Sequence, residues 1–542
     1  MANKNILLVE PGYRNKYPPL GLMKIGQYHG PSGKKDNVRF VKGEDASAYG
    51  TAWDRVYITT LFSFEWERTA RSIDYALDLV GGQAHRVFVG GIAASLMHEK
   101  FVEEPKWRGV RFVKGLLGEA PAISLGLDPF EEELYADDVD GQPIEDLVPD
   151  YSILNHIEYE YPVADAYFTY ASRGCVRKCA FCGVPKLEGG QRDTNSLSEV
   201  IAGINRLYGE KRDLILMDNN VVASAKFKDI VAEIIDLGFE RGATLKRGRY
   251  ELQRRVDFNQ GVDARILCKN PMYLQQLSRI ALKPLRIAFD HLGVKKPYVQ
   301  AIRFAAEAGI TGLSNYMLYN FHDSPSDLFE RMRLNVALNE ELGIRIFSFP
   351  MRYQPVTRPD RGHVGENWNS YYLRSMQVIL QATHGIVSGA PDFFRKAFGD
   401  TYEEFERILF RPHHFIFNRD WYEQFEGRSE FDSFQAAMGA LSADERATLL
   451  EFLCSRDRNE YARDLGLLAA GKSREAARYF VPMSKADEAR IWETQKRRRA
   501  SDVNAYLVPE DERVEDAALT DQDVQPGTGA RQRLRHTMQV YP

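Results

Sequence analysis

The sequence predicts an α/β protein with an N-terminal doubly wound (Rossmann-like) parallel sheet, a central strand–helix alternation at barrel-like spacing, and a C-terminal helical domain. Three observations carry this. Short apolar runs alternate with amphipathic stretches up to about residue 125, and the same alternation resumes over 165–360. Beyond 360 it stops, and apolar residues recur at helical spacing with a high aromatic share. At 542 residues, with 44% hydrophobic and 27% charged content, the chain has length for two or three cores of ordinary soluble composition. A net charge of −5 gives no electrostatic footprint for nucleic acid. No apolar run approaches the ~18 residues of a membrane span. The first ten residues read as a strand rather than a secretory leader. Five cysteines, three of them grouped, suit metal ligation in a reducing cytoplasm better than a disulfide scaffold.

In the first part, strands are predicted over 6–9, 38–41, 56–61, 86–89 and 110–113, with a helix over 72–80. In a doubly wound sheet, ligands collect at the C-terminal strand ends. Those ends carry Pro11-Gly12-Tyr13, Phe62-Ser63-Phe64-Glu65-Trp66 and Gly90-Gly91. Residues 126–164 are acidic and rich in turn formers, the signature of a linker. The central part predicts strands over 166–171, 214–217, 255–258, 285–289, 312–319 and 345–350, with helices over 224–237, 297–308 and 325–342. Polar residues stand at the strand ends: Asp218, Asn219 and Asn220; Gln260, Asp263 and Arg265; Asp290 and His291; Asn320 and His322. The region 361–500 predicts helices over 368–383, 391–398, 402–409 and 443–455, and 501–542 has the composition of a disordered tail. The basic runs 246–249 and 496–499 read as a solvated loop and a helix end, and the adjacent pair His413-His414 cannot face one ion together.

The most specific signal is Ser172-Arg173-Gly174-Cys175-Val176-Arg177-Lys178-Cys179-Ala180-Phe181-Cys182-Gly183. Cys-x3-Cys-x2-Cys is not a zinc-finger spacing, and no second Cys or His pair follows. Three thiols at these intervals would align on one helical face, but Gly174, Gly183 and Pro185 oppose a regular helix. A loop wrapped around an iron–sulfur cube is the better reading. Three thiolates then leave the fourth iron open to a small molecule, as an open zinc site differs from a closed one. Cys268 and Cys454 stand alone, so no second cluster is expected.

This motif resembles the signature of the radical S-adenosylmethionine (SAM) superfamily, including the apolar strand before it and the aromatic residue before the last cysteine. The resemblance implies a partial (β/α)6 barrel over 165–360, with its chemistry at the C-terminal rim. It implies a [4Fe–4S] cluster on Cys175, Cys179 and Cys182, whose open iron chelates the methionine end of SAM. One electron then cleaves the S–C5′ bond to give a 5′-deoxyadenosyl radical. Phe181 would touch the adenine, Asp218 and Asn219 the methionine amino group, Gln260 or Arg265 its carboxylate, and Asp290 the ribose. The usual Gly-Gly-Glu is missing at 218–220, where the chain has Asp-Asn-Asn.

Residues 1–125 resemble the cobalamin-binding domain that precedes the cluster domain in one subgroup of these enzymes. The carriers are Pro18-Pro19-Leu20-Gly21-Leu22 after the first strand, and Thr59-Thr60-Leu61 preceding Gly90-Gly91 at the interval such domains show. Thr59, Leu61, Gly90 and Gly91 are the implied cobalamin contacts, the small hydroxyl and the two glycines leaving room for a nucleotide tail. The Asp-x-His-x-x-Gly motif that supplies an axial histidine is absent; the loop reads Gly12-Tyr13-Arg14-Asn15-Lys16. That leaves both a cobalamin-binding and a degenerate domain open. With cobalamin, the implied reaction is methyl transfer to an unactivated carbon of a small metabolite or peptide. Without it, the radical would abstract hydrogen for a rearrangement, oxidation or epimerisation. An electron-transfer protein is the rival of another class; it would want a fourth cluster ligand. A reductant such as flavodoxin or ferredoxin is the implied partner. Substrate and oligomeric state are not specified by the sequence.

Overall fold

The computed structural model describes residues 3–118, 144–194 and 196–501. The acidic stretch up to 143 and the tail from 502, expected as linker and disordered segment, lie outside the described residues. The fold is mixed α/β with parallel sheets and a helical C-terminal region. Contacts divide the chain into two compact units. The first holds Met1–Leu318 with Leu338–Ile346 and Met351–His363; the second holds Tyr319–Ala337, Phe347–Pro350 and the chain from Val364 onward.

The first unit begins with five strands: β1 (Asn5–Glu10), β2 (Asn37–Lys42), β3 (Arg55–Thr60), β4 (Val87–Gly91) and β5 (Arg111–Phe112). They pair in parallel in the order β2-β1-β3-β4-β5. This doubly wound order places its topological switch between β1 and β3, and ligands of such sheets bind outside the carboxyl ends of the strands at that point. Burial on both faces explains the nearly continuous apolar runs: Ile6, Leu7, Leu8 and Val9 are all fully buried. The helix Trp66–Leu79 lays Ile73 and Ala76 into the same core as Val56, Ile58, Val87 and Val89. The helix Leu20–His29 follows Pro18-Pro19 directly and buries Leu22, Met23 and Ile25.

Residues 144–163 do not hang free as a linker would. The N–H of Asp150 donates to the carbonyl of Met23 at 2.9 Å. Tyr161 donates to Glu10, and Tyr159 donates to the carbonyl of Asn15 at 2.6 Å. Glu10 also pairs with Lys42 at 2.5 Å, and the Lys42 ammonium lies 4.6 Å from the Tyr159 ring centroid. This buried pair closes the carboxyl ends of β1 and β2. Burial raises the Glu10 carboxyl above its ordinary value and lowers the Lys42 ammonium, each opposed by the other's charge.

The later strands are β6 (Ala166–Thr169), β7 (Ser172–Arg173), β8 (Arg192–Asp193), β9 (Asp213–Leu216), β10 (Thr244–Arg247), β11 (Tyr250–Gln253), β12 (Val256–Phe258), β13 (Leu285–Arg286), β14 (Gly312–Tyr319) and β15 (Arg345–Arg352). Two three-stranded sheets result, β12-β9-β6 and β13-β14-β15. Isolated parallel bridges, Val256↔Leu282 and Val262↔Ile287, join the edge of the first to the chain around β13. The six strands expected from sequence thus occur and run in sequence order. The basic run at 246–249, expected as a loop, is the tip of the antiparallel hairpin β10-β11.

The second unit contains the helices Ser370–Ala382, Pro391–Phe398, Tyr402–Leu409 and Ala443–Cys454, close to their predicted bounds. Its core is aromatic: Phe329 packs on Phe394 and Phe405, and Phe415 on Tyr422, Phe431 and Phe434. His413 stacks on Tyr371 at 4.6 Å, and burial lowers its pKa to about 3 and that of His414 to about 4. Both are neutral packing residues near neutral pH.

Candidate functional site

The cysteine loop is irregular from 174 to 183, so the three thiols share no helical face. Gly174 has φ +75, and a Cβ there would sit 2.2 Å from the carbonyl oxygen of Gly190. Only glycine fits that approach. All five cysteines are free thiols, and Cys175, Cys179 and Cys182 are each half-buried. Two backbone N–H groups point back at the loop's sulfurs: Arg177 to Cys175 Sγ and Val184 to Cys182 Sγ, each at 3.4 Å. Burial raises the Cys179 and Cys182 thiols above their ordinary value, and the charge of the neighbouring cysteines adds to it. Among the described residues no three His, Cys, Asp or Glu converge as they would on a single ion. A cube takes one thiolate per iron, so ligands standing apart around a loop, with N–H groups directed at sulfur, fit that group.

Three carboxylates hold this loop. Asp218, just past β9 and 1% exposed, accepts from the N–H of Ala171 at 3.0 Å and from Ser172 through its N–H at 2.5 Å and O–H at 2.6 Å. Burial raises its pKa to about 6 against those hydrogen bonds. Glu188, just beyond the helical turn Val184–Leu187, receives on one oxygen the N–H of Gly174 at 2.8 Å, Arg173 Nε at 3.1 Å and Asn219 Nδ2 at 2.8 Å. Asp263 caps the helix Ala264–Lys269 and binds Arg177 Nε on Oδ2 at 2.5 Å and Arg265 Nε on Oδ1 at 2.8 Å. Burial works against the Asp263 carboxylate, yet the hydrogen bonds from Arg265 and Arg177 hold it below the usual range.

The residues singled out from sequence fall into distinct settings. Phe181 is half-buried on the loop itself. Asp218 and Asn219 face Ser172 and Glu188, so their hydrogen-bond partners are the loop's own flanks. Gln260 is exposed in the turn after β12. Arg265 is brought to Cys179, whose thiol its charge lowers, and Asp290 contributes charge to Cys179, Cys182 and Arg265. Glu188 and Arg177 carry no role in the sequence reading, and Asn220 stands there only as a polar residue at a strand end. Asn220 places Nδ2 4.0 Å from Cys175 Sγ and accepts the N–H of Asp263 at 3.2 Å. Arg177 lies inside the cysteine motif, which was the signal that could have found it.

In the N-terminal sheet, Thr59 pairs in register with Gly90 and Thr60 with Gly91. Thr60, not Thr59, is structural: its Oγ1 donates to the Gly90 carbonyl at 2.8 Å and accepts the N–H of Ala94 at 2.9 Å. Gly91, with φ +100, would carry a Cβ 2.4 Å from the Thr60 carbonyl oxygen. Thr59, Leu61 and Gly90 are half-exposed and Gly91 exposed, at the carboxyl ends of β3 and β4, on the same edge of the sheet as the β1 and β2 ends that the Glu10–Lys42 pair closes. The chain leaves Gly91 into the helix Ile92–Leu96, which packs on Val184–Leu187 just past Cys182. A Cβ on Gly183 would meet Leu96 Cδ1 at 2.9 Å. The open end of β4 therefore abuts the cysteine loop.

No protein-family model matches the chain, and no curated protein sequence does. Solved structures similar to it include two of the radical S-adenosylmethionine methyltransferase TsrM from Kitasatospora setae. The one with cobalamin and a [4Fe-4S] cluster bound has TM-score 0.42 and 16% identity, covering 66% of this chain and 77% of that one. The one with tryptophan substrate and the SAM analog aza-SAM bound has TM-score 0.43 and 15% identity, covering 66% and 75%. No helix among the described residues is long and apolar enough to cross a membrane.

Proposed function

We propose that this chain is a radical SAM enzyme that reductively cleaves S-adenosylmethionine at a [4Fe–4S] cluster held by Cys175, Cys179 and Cys182. The further reading is a cobalamin-dependent methyl transfer to an unactivated carbon of a small metabolite or peptide. The observation that carries it is the cysteine loop: three free, half-buried thiols on irregular backbone, with N–H groups directed at two sulfurs and carboxylates fixing both flanks. When bound, the cluster supplies one electron and an open iron for the methionine end of SAM, and cobalamin supplies a transferable methyl group. The chain's own residues do the rest. Asp218 and Glu188 hold the loop's entry, Phe181 offers an aromatic face beside Cys182, and Arg265 offers positive charge beside Cys179 for a carboxylate. Thr59, Leu61, Gly90 and Gly91 are accessible at the carboxyl ends of β3 and β4, where the hydroxyl and the two glycines leave room for the cobalamin tail. Hydrogen abstraction without cobalamin is the second reading, favoured by the loop Gly12–Lys16 lacking an axial histidine.

Anaerobic reconstitution followed by dithionite and SAM is expected to yield 5′-deoxyadenosine or demethylated SAM. A cluster EPR signal indifferent to SAM would refute the reading. Corrinoid absorbance in protein from cobalamin-fed cells decides between its two branches.

A further inference from the structure

Asn220 opens the turn Val221–Ala223, a place where asparagine commonly caps with its side chain. Here the backbone alone holds the turn: the Ala223 N–H donates to the Asn220 carbonyl at 2.9 Å, and the side chain makes no cap bond. That side chain is buried, at 3% exposed. Its Oδ1 accepts the backbone N–H of Asp263 at 3.2 Å. A peptide N–H can only donate, so the amide atom facing it must be the oxygen, and the orientation of the amide follows. Nδ2 is thereby directed at Cys175 Sγ, 4.0 Å away, and among the described residues it has no oxygen acceptor. A buried donor without an acceptor is costly, which makes the sulfur its partner. A thiol accepts weakly; a thiolate on iron carries negative charge and accepts more strongly. Cys175 also takes the N–H of Arg177 at 3.4 Å, a backbone donor that no substitution removes. Asn220 adds a side-chain donor, which substitution can remove.

From this arrangement we infer that Asn220 raises the reduction potential of the cluster by donating from Nδ2 to the Cys175 sulfur, with the Asp263 N–H fixing the amide. The inference rests on the proposed function for the cluster itself. Reduction adds one electron, and so one negative charge, to the cluster. A donor on its sulfur therefore favours the reduced form. Asn220 acts on the loading of the electron, before SAM takes any part.

The test uses the cluster-loaded full chain without SAM, its midpoint potential read by EPR during stepwise reduction with dithionite at about pH 8.5. Asn220→Leu removes donor and acceptor together. Asn220→Asp keeps an acceptor for the Asp263 N–H and turns a second, ionised oxygen toward the sulfur. Both variants should hold wild-type iron and sulfide. In both, the one-electron reduction constant should fall at least tenfold, about 59 mV, and in Asn220→Asp by no less than in Asn220→Leu. A purely structural Asn220 gives the opposite ranking, with Asn220→Leu shifted and Asn220→Asp like wild type, and that result overturns the inference. Potentials unchanged in both variants overturn it too, and weaker SAM binding in those variants would make Asn220 a cofactor contact instead.

If neither variant holds iron, wild type decides. Protein grown on asparagine carrying nitrogen-15 in its side-chain amide should show hyperfine coupling to that nitrogen in pulsed EPR of the reduced cluster. The neighbouring Asn219 amide is engaged by Glu188 at 2.8 Å, so the coupling reports on Asn220. A reduced cluster without the coupling sinks this inference alone. Wild type that assembles no four-iron cluster sinks the proposed function and this inference with it.

Discussion

Ser172 gives both its N–H and its O–H to the same oxygen of Asp218, at 2.5 and 2.6 Å, three residues before the first cysteine of the loop. The carboxylate has little left to offer a ligand. It ties the end of β9 to the strand entering the loop, and it does so while buried.

That burial makes a pH prediction with a definite sign. Asp218 titrates near 6 when folded, against an ordinary value of 3.8. Its proton is therefore held more tightly in the folded chain. The associated stability is complete below pH 3.8 and is lost as pH rises through 6. At 1.36 kcal/mol per unit this is about 3 kcal/mol. Denaturant titrations of wild type and Asp218→Asn should show their stability difference shrinking for wild type by that order between pH 4 and 7. A difference that stays flat would mean the carboxylate is not buried as described.

The glycines before and after the loop differ in what they tolerate. Gly174→Ala would press a Cβ to 2.2 Å from Gly190 O, whereas a Cβ on Gly190 meets nothing within 4 Å. Gly174→Ala should abolish iron binding and Gly190→Ala should leave iron and sulfide unchanged, as measured after anaerobic reconstitution. Glu188→Gln should fall between, because it keeps one acceptor for the Gly174 N–H but loses the charge that meets Arg173; a weakening of about 1–3 kcal/mol is the scale of such a bond.

Replacing any of Cys175, Cys179 or Cys182 by Ala should remove activity and most of the iron, since each is expected to hold a separate iron. Cys268→Ala and Cys454→Ala should not. Cys268 lies in the helix Ala264–Lys269, and Cys454 ends the helix Ala443–Cys454 with its Sγ 3.6 Å from Asn369 Oδ1. Iron and sulfide analysis of the five variants reads this directly, and full iron in Cys179→Ala would show the ligands to be wrongly assigned.

For the N-terminal sheet, Gly90 and Gly91 should separate binding from folding. A Cβ on Gly90 meets only Val113 Cβ at 3.7 Å, so Gly90→Ala should fold normally yet retain less corrinoid in protein from cobalamin-fed cells. Gly91→Ala, with φ +100 and a Cβ 2.4 Å from Thr60 O, should be destabilised outright, lowering its thermal midpoint whether or not cobalamin is supplied. Equal corrinoid retention in Gly90→Ala and wild type would remove Gly90 from the binding surface.

The sequence by itself determined the elements and the thiol motif. Apolar runs mark β1, β3, β4, β6 and β9 because those strands are buried on both faces, and such burial shows as composition in any short window. Gly174 and Gly183 announced an irregular loop because a backbone demand on glycine is local. Tertiary structure alone decided which polar residues serve that loop. Asp218 looked like a ligand to a cofactor because it stands at a strand end, and only the folded chain shows Ser172 and Ala171 engaging it. Glu188 was invisible as a clasp because its partners Gly174 and Asn219 lie 14 and 31 residues away. Arg177 and Arg265 meet on Asp263 across 86 residues for one and two for the other. Hydrogen bonds and ion pairs are made by short-range contact in space, and periodicity along the chain carries no record of which distant side chains the fold brings within that range.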